Sequence, residues 1–389
     1  MMTYQMAGIE IAFGEKAFEI VPERLKKSGC KKVLIVTDKN IVAAGGIKEA
    51  EKILCENEIE YAIYSGVEAD PYSYMVDEGI EIYQKEGCQA IISIGGGSSM
   101  DVGKGISVMV CHDGNILEYT RRWENPRPIT KKGCPIINVP TTCGTGSEVS
   151  KFAVLANAEN HRKMTLDSKY IFSDLVVLDP VFTLTVPKEF IASCFTDALG
   201  HASEAYCHAD TIKEEFVIND VIALKAVELL CANVEDVYNG TKDMQKRMHL
   251  MWGALLAGQA LNIGAGESHA LGAMLSKYYG VSHSVSIGVS LPACMEYCIS
   301  SSPKRYYDVA KAMGADVEGM SYEEGAKEGV RHLKRLLKRM NFPTMSQFTN
   351  MEDVRKFSEE CSQNSCCVLN HRMTTVEQVE SVFQSALSE

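Results

Sequence analysis

No stretch of the 389 residues approaches the ~18 uninterrupted apolar residues that a membrane-spanning helix requires. Gly, Glu and Lys break every hydrophobic run, so no membrane contact is expected. Positive charge is also in deficit, with 39 Lys and Arg against 51 Asp and Glu and a formal charge of -12. That is the wrong sign for neutralising phosphate backbones or anionic lipid, which sets aside nucleic acid as a partner. The opening Met-Met-Thr-Tyr-Gln lacks the basic block and apolar run of a secretory leader. Fourteen Cys scattered through so long a chain do not read as a disulfide framework, and a reducing cytoplasm with free thiols is expected. Internal repeats and low-complexity tracts are missing as well. The remaining composition, 46% apolar and 23% charged, is that of an ordinary globular protein of two or three domains.

The first half alternates short β-branched runs with helical spacing. Lys32–Thr37, Tyr61–Tyr64, Ala90–Ile94, Pro135–Val139 and Leu175–Leu178 read as strands. Glu49–Asn57 reads as a helix, and a second helix opens at Asp70-Pro71 with Val76, Ile80 and Tyr83 on one face. Continuous apolar strands separated by helices imply a parallel sheet covered on both faces. Beyond Pro187 the pattern becomes helical, over Ile191–Tyr206, Glu214–Asn233, Met244–Gln259, Gly325–Met340 and Val376–Leu387. The expected architecture is therefore an α/β domain over residues 1–184 and a helical domain over 185–389. The run Lys334, Arg335, Lys338, Arg339 is read as a solvated helix face.

Two loops stand out at strand ends. The first is Gly95-Gly96-Gly97-Ser98-Ser99-Met100-Asp101, whose glycines allow close backbone approach and whose helix start presents free N–H groups to a diphosphate. Its spacing is not G-x-G-x-x-G. The same loop also suits a plain strand-to-helix turn in which Ser98 or Ser99 caps the helix. The second is Pro140-Thr141-Thr142-Cys143-Gly144-Thr145-Gly146-Ser147, rich in hydroxyl donors. Two such loops at carboxyl ends of one open sheet lie where doubly wound folds bind ligands.

Asp197 and His201 stand at i and i+4, so a helix projects them side by side. His269 and His283 follow, 14 residues apart. One carboxylate and three imidazoles suit Zn or Fe(II) better than Ca or Mg. Each histidine taken singly is equally compatible with a structural role, and His112, His161, His208 and His249 are read that way.

These motifs in this order, Gly95–Asp101, Pro140–Glu148 and Thr196-Asp-Ala-Leu-Gly-His201 followed by two spaced histidines, resemble the iron-containing (group III) alcohol dehydrogenases. The resemblance implies a Rossmann-like N-terminal domain, an all-α C-terminal domain and an active site between them. It implies Asp197, His201, His269 and His283 as ligands of one ion, normally Fe(II) and sometimes Zn. It places NAD(H) against Gly95, Gly96, Gly97 and Ser98 at the diphosphate and against Thr141, Thr142 and Thr145 in the second loop. Lys163 falls at the nicotinamide ribose and Asp38 beside the adenosine ribose. Phe152, Ala260 and Ala265 map to the substrate pocket, and Cys143, Cys366 and Cys367 to its neighbourhood. Two departures are Ala273, where many members carry a further His, and Asp70 before Pro71, where Asn is common.

The activity so implied is hydride transfer between NAD(H) and a short-chain aldehyde or its primary alcohol, by a homodimer or higher homo-oligomer. A short aldehyde with an anionic tail, such as sulfoacetaldehyde or succinate semialdehyde, is the alternative, with Lys151 and Arg372 as candidates to meet the tail. Dehydroquinate synthases and glycerol-1-phosphate dehydrogenases share the layout, but their phosphorylated substrates call for more basic residues than Asn262–His269 offers. A non-catalytic NAD- and metal-binding assembly protein is the remaining rival, and the complete ligand set beside a cofactor loop argues against it.

Overall fold

The computed structural model describes residues 8–388 except 122, 161, 214, 215 and 351–353, and Lys356 without its side chain. His161 and the helix start expected at Glu214 lie outside the described residues.

The strands are β1 (Glu10–Phe13), β2 (Lys32–Asp38), β3 (Glu60–Val67), β4 (Ala90–Gly95), β5 (Ile136–Pro140), β6 (Phe152–Ala156), β7 (Lys163–Asp167) and β8 (Leu175–Leu178). Six form one sheet in the order β1-β8-β5-β4-β2-β3, all pairs parallel, and β6 and β7 form a separate antiparallel hairpin. Every residue of β4, β5 and β8 is buried, which explains why these strands read as unbroken apolar runs. Apolar layers cover both faces, one around Leu34, Ile91 and Ile106 and the other around Ile35, Ile92 and Val177. From β2 the chain first pairs outward to β3, then returns across β2 to β4 and continues to β5. The switch point therefore lies between β2 and β4, whose carboxyl ends carry Asp38 and Gly95.

Helices α1 (Val21–Lys27), α2 (Lys39–Ala43), α3 (Lys48–Glu56), α4 (Tyr74–Lys85) and α5 (Gly97–Met109) connect these strands. Helix α4 starts later than its sequence pattern suggests. Asp70 takes a left-handed backbone (φ 52°) and Tyr72 bridges to Ala156 before the helix begins. Beyond β8 come α6 (Lys188–Tyr206), α7 (Ala209–Lys213), α8 (Val217–Tyr238), α9 (Met244–Ala260), α10 (Glu267–Tyr279), α11 (His283–Cys298), α12 (Pro303–Ala312), α13 (Tyr322–Arg339), α14 (Val354–Ser362), α15 (Ser365–Asn370) and α16 (Val376–Leu387). Every residue of α6 from Ala192 to Tyr206 is buried, so polar side chains on this helix face protein rather than water. Among the described residues, no helix is long and apolar enough to cross a membrane.

The two halves meet closely where the loop after β5 crosses α9. A methyl group at Gly258 would lie 2.4 Å from the Cα of Gly146, and Gly146 itself is left-handed (φ 62°). Inside a helix, Ala is normally favoured over Gly by about 1 kcal/mol. Here the clash reverses that sign, and Gly258→Ala is expected to lower stability by about 1–3 kcal/mol in urea unfolding, as overpacking does. A neutral or stabilised variant would show that the crossing can relax.

Candidate metal and cofactor site

Helix α6 places Asp197, His201 and Glu204 at i, i+4 and i+7, along one face. His269 comes from the first turn of α10, and His283 is the first residue of α11. Asp197 Oδ1 lies 3.6 Å from Nε2 of each of the three histidines. The donor atoms of Asp197, His269 and His283 also lie within 4.8 Å of one another, and His201 joins through Asp197. The His201 and His269 rings stack with centroids 4.7 Å apart. Asp197 Oδ1 and His269 Nε2 are buried and have no hydrogen-bond partner.

Such orphaned atoms are costly unless something occupies the space between them. The corners of a tetrahedron about an ion with bonds of roughly 2.1 Å lie about 3.4 Å apart, so the spacing and the donor chemistry both fit one divalent transition ion. His283 is the open side of the cluster, its side chain 40% exposed, while Asp197, His201 and His269 are buried.

The electrostatics match a ligand set caught between proton and metal. Burial alone would raise Asp197, but the three imidazoles overturn that and hold it below the ordinary carboxylate range. Burial pushes His201 down, and pushes His283 down to about 4 with Lys163 adding to the effect. His269 goes the other way. Burial opposes its charged form, yet Glu204 and Asp197 on either side outweigh this and hold it up at about 10. Loading an ion therefore releases a proton from this cluster.

Sequence reasoning missed Glu204. Its buried carboxylate accepts from the backbone N–H groups of Gly266 (2.8 Å) and Ser268 (2.6 Å), from Ser268 Oγ (2.5 Å) and from His269 Nδ1 (2.5 Å). The available signal was its i+7 spacing from Asp197 on a helix without a solvent face.

Both glycine-bearing loops meet beside this cluster. Methyl groups at Gly96 and Gly97 would lie 3.1 Å from Thr142 Oγ1 and 2.7 Å from Thr145 Cγ2, so contact with the second loop leaves no room for a side chain at Gly97 and crowds one at Gly96. Gly96 caps α5 with no side-chain bond, and neither Ser98 nor Ser99 acts as its cap. The N–H groups opening α5 are thus left for a ligand. Thr141 is buried with Oγ1 unpartnered, and Thr145 Oγ1 accepts from Ser147 N. The Gly144 carbonyl sits beside His201, which joins this loop to the metal cluster.

Asp38 ends β2 and caps α2, its Oδ1 accepting from Asn40 N (2.8 Å) and Ile41 N (2.9 Å). Lys163 opens β7 and pairs with Asp70 at 2.6 Å. Phe152 starts β6 with the cations of Arg121 and Lys151 over its ring. Ala265 is partly exposed, and Ala260 is wholly buried in the helical core. Ala273, one turn beyond His269, packs against the apolar cluster of α10 and α11.

The reading of Arg372 as a tail-binding cation is corrected. It is buried and donates to the Cys207 carbonyl at 3.0 Å, with Tyr306 Oη at 3.5 Å. Burial pushes the thiol of Cys366 up to about 12 and that of Cys143 higher still, so neither is a reactive thiolate near neutral pH.

Beneath the second loop, Lys104 is fully buried and donates to the carbonyls of Ser147 (2.6 Å), Phe152 (2.7 Å) and Ser150 (3.2 Å), with Asp101 at 3.9 Å. Asp101 accepts from Ser147 Oγ (2.6 Å) and Val154 N (2.8 Å) instead of complementing its own helix dipole. Burial raises the neighbouring Glu148 to about 7. A folded-state value above the unfolded one means that Glu148 favours the fold below about pH 4.5 and that this contribution fades as pH rises through 7. Glu148→Gln is therefore expected to flatten the loss of stability between pH 5 and 8 by about 1–3 kcal/mol. Parallel unfolding curves for the two proteins across that range would contradict this.

The family description "Iron-containing alcohol dehydrogenase" matches residues 9–180, and "Fe-containing alcohol dehydrogenase family, C-terminal" matches residues 191–387. Choline dehydrogenase of Bacillus subtilis is 32% identical over 356 residues, which are 91% of this chain and 87% of that protein. The 1,3-propanediol dehydrogenase of Klebsiella pneumoniae is 30% identical over 381 residues, 96% of each chain. The crystal structure of a 1,3-propanediol oxidoreductase superposes with a TM-score of 0.91 at 29% identity, covering 99% of this chain and 100% of the other. With both halves matched and the fold shared along its whole length, the chain belongs to the iron-containing alcohol dehydrogenase family.

Proposed function

We propose that this oxidoreductase interconverts a short-chain aldehyde and its primary alcohol, with Asp197, His201, His269 and His283 holding one divalent ion, Fe(II) on family grounds, and NAD(H) lying across the two loops. The observation that carries this is the single Asp197 oxygen 3.6 Å from three imidazole nitrogens, beside loops joined at Gly96–Thr142 and Gly97–Thr145. When bound, the ion supplies Lewis-acid polarisation of a carbonyl and the nicotinamide supplies or accepts the hydride.

The chain's own residues then bind and orient. Gly95, Gly96, Gly97 and Ser98 offer the start of α5 to the diphosphate, Thr141, Thr142 and Thr145 flank it, and Lys163 reaches the ribose from the hairpin, near enough to His283 to lower its pKa. Phe152 and Ala265, both partly exposed, are assigned to the substrate's path, and His283 is the open side of the cluster. Residues 1–184 thus serve the cofactor and residues 185–389 the ion.

An uncharged short aldehyde is favoured over one with a sulfonate or carboxylate tail. Lys151 pairs with Asp167 (3.5 Å), Lys163 pairs with Asp70, and Arg372 is enclosed by Cys207 and Tyr306. Fourteen free cysteines support a reducing cytoplasmic setting. The exposed apolar face of Val217, Ile218 and Val221 on α8 supports a homo-oligomer.

Two measurements test the reading. Chelation should abolish NADH-dependent reduction of short aldehydes and Fe(II) or Zn should restore it; His269→Ala should lose both ion and turnover, and His208→Ala, which removes none of the four ligands, should keep both. Full activity in metal-free His269→Ala protein would sink the assignment. For the cofactor, Asp38 Oδ2 lies outside the cap and is the acceptor for a ribose 2′-hydroxyl. A 2′-phosphate ~4 Å from that carboxylate would be repelled by about 4 kcal/mol at an effective dielectric of 20, so NADH should be strongly preferred. Asp38→Gly should relax the preference, and an unmodified enzyme with the higher kcat/KM for NADPH would refute this role of Asp38.

A further inference from the structure

We propose that Glu204 is the positioning residue that fixes the tautomer of His269 and aims its Nε2 lone pair at the ion. This rests on the four-ligand reading given above. A carboxylate has two oxygens and about four lone-pair sites, and here all four are taken. Oε1 accepts from Ser268 N and Ser268 Oγ, and Oε2 accepts from Gly266 N and His269 Nδ1.

A saturated carboxylate cannot swing round to bind the ion itself. It locks the turn Gly266–Ser268 that starts α10, and through Oε2 it demands a proton on His269 Nδ1. The other ring nitrogen, Nε2, faces Asp197 Oδ1 at 3.6 Å with no other partner, and it becomes the unprotonated donor once the ion displaces the extra proton. No comparable group orients the other two rings. Among the described residues, His201 Nδ1 is buried without a hydrogen-bond partner, and His283 stands partly in solvent. Outer partners of metal-bound histidines commonly act in this way.

Glu204→Gln isolates the effect because shape and volume are kept. An amide NH2 at the Oε2 position faces His269 and Gly266 N–H, and the ring escapes the clash only by moving its proton to Nε2, which removes the lone pair from the ion. An NH2 at the Oε1 position instead confronts Ser268 N–H. Either orientation disfavours the metal-competent state.

The test is a Zn(II) titration of metal-free protein against a competing chelator, in the full chain, for wild type, Glu204→Gln and Ser268→Ala. Glu204→Gln should bind Zn about 10–100-fold more weakly. Ser268→Ala removes one bond to the same carboxylate but leaves the His269 contact, and should stay within about threefold of wild type, which separates tautomer control from a general loosening. The Zn-loaded wild type, with 15N-labelled histidine, should show His269 as the Nδ1–H tautomer by NMR, a measurement that stands even where Glu204→Gln fails to fold. Wild type that takes up no ion would overturn the four-ligand reading and this role together. Wild type that binds one ion while Glu204→Gln binds it within twofold, or an Nε2–H tautomer at His269, would overturn the role of Glu204 alone.

Discussion

One carboxylate oxygen, Asp197 Oδ1, sets the terms for the rest of the molecule. It is buried, faces three imidazole nitrogens at equal distance and has no hydrogen bond of its own. A charge in that position is tolerable only if other charges are brought to it. The helix that carries it has no solvent face from Ala192 to Tyr206, so every polar group on α6 must be answered by another element. The first turns of α10 and α11 provide those answers, which is why residues 70 to 90 positions apart in the chain converge on one point.

The same constraint explains the joint between the two halves. The ion's cluster is useful only if the nicotinamide can approach it, and the second loop is what brings the sheet to α6. That loop rests on Gly258, touches His201 through the Gly144 carbonyl and is braced from below by Lys104, whose ammonium gathers three main-chain carbonyls. Lys104 is displaced to about 8 by burial, and Asp101 and Glu148 pull it back. A loop held by such a buried polar network adopts one conformation, as a cofactor cradle requires.

How far the fold could be read from the chain follows from these contacts. The interior strands were legible because both faces are buried, and their apolar runs admit little else. Strand β1 is four residues at the sheet edge, and the hairpin of β6 and β7 lies outside the main sheet with mixed exposure, so neither leaves a strong pattern. The start of α4 was misread because Asp70-Pro71 looks like a helix opening, whereas Asp70 is left-handed and engaged with Lys163. The candidate metal cluster was visible from its residue types, spacing and family likeness, and the structure brings Asp197, His269 and His283 together. Glu204 was not, because its partners lie 62 to 65 residues away and only the folded turn at Gly266–Ser268 gives it a role. Arg372 deceived for the same reason, since charge alone does not tell a buried brace from a substrate contact.

Charge balance closes the account of the buried centre. Asp197 and Glu204 together bring two negative charges into a largely buried region, and the three histidines are neutral as ligands. A divalent ion makes that group neutral overall, whereas without one the protein compensates only in part, by holding a proton on His269 up to about 10. A third carboxylate, Glu267, lies beside Glu204 on a cavity they share with Tyr306. Were it ionised, the charge set against it would be the Arg372 guanidinium. Burial, reinforced by Glu204 and opposed by Arg372, instead raises Glu267 to about 7. Glu267 is therefore only partly charged near neutral pH, with the Arg372 guanidinium against it, so the two full negative charges that an ion meets here are those of Asp197 and Glu204.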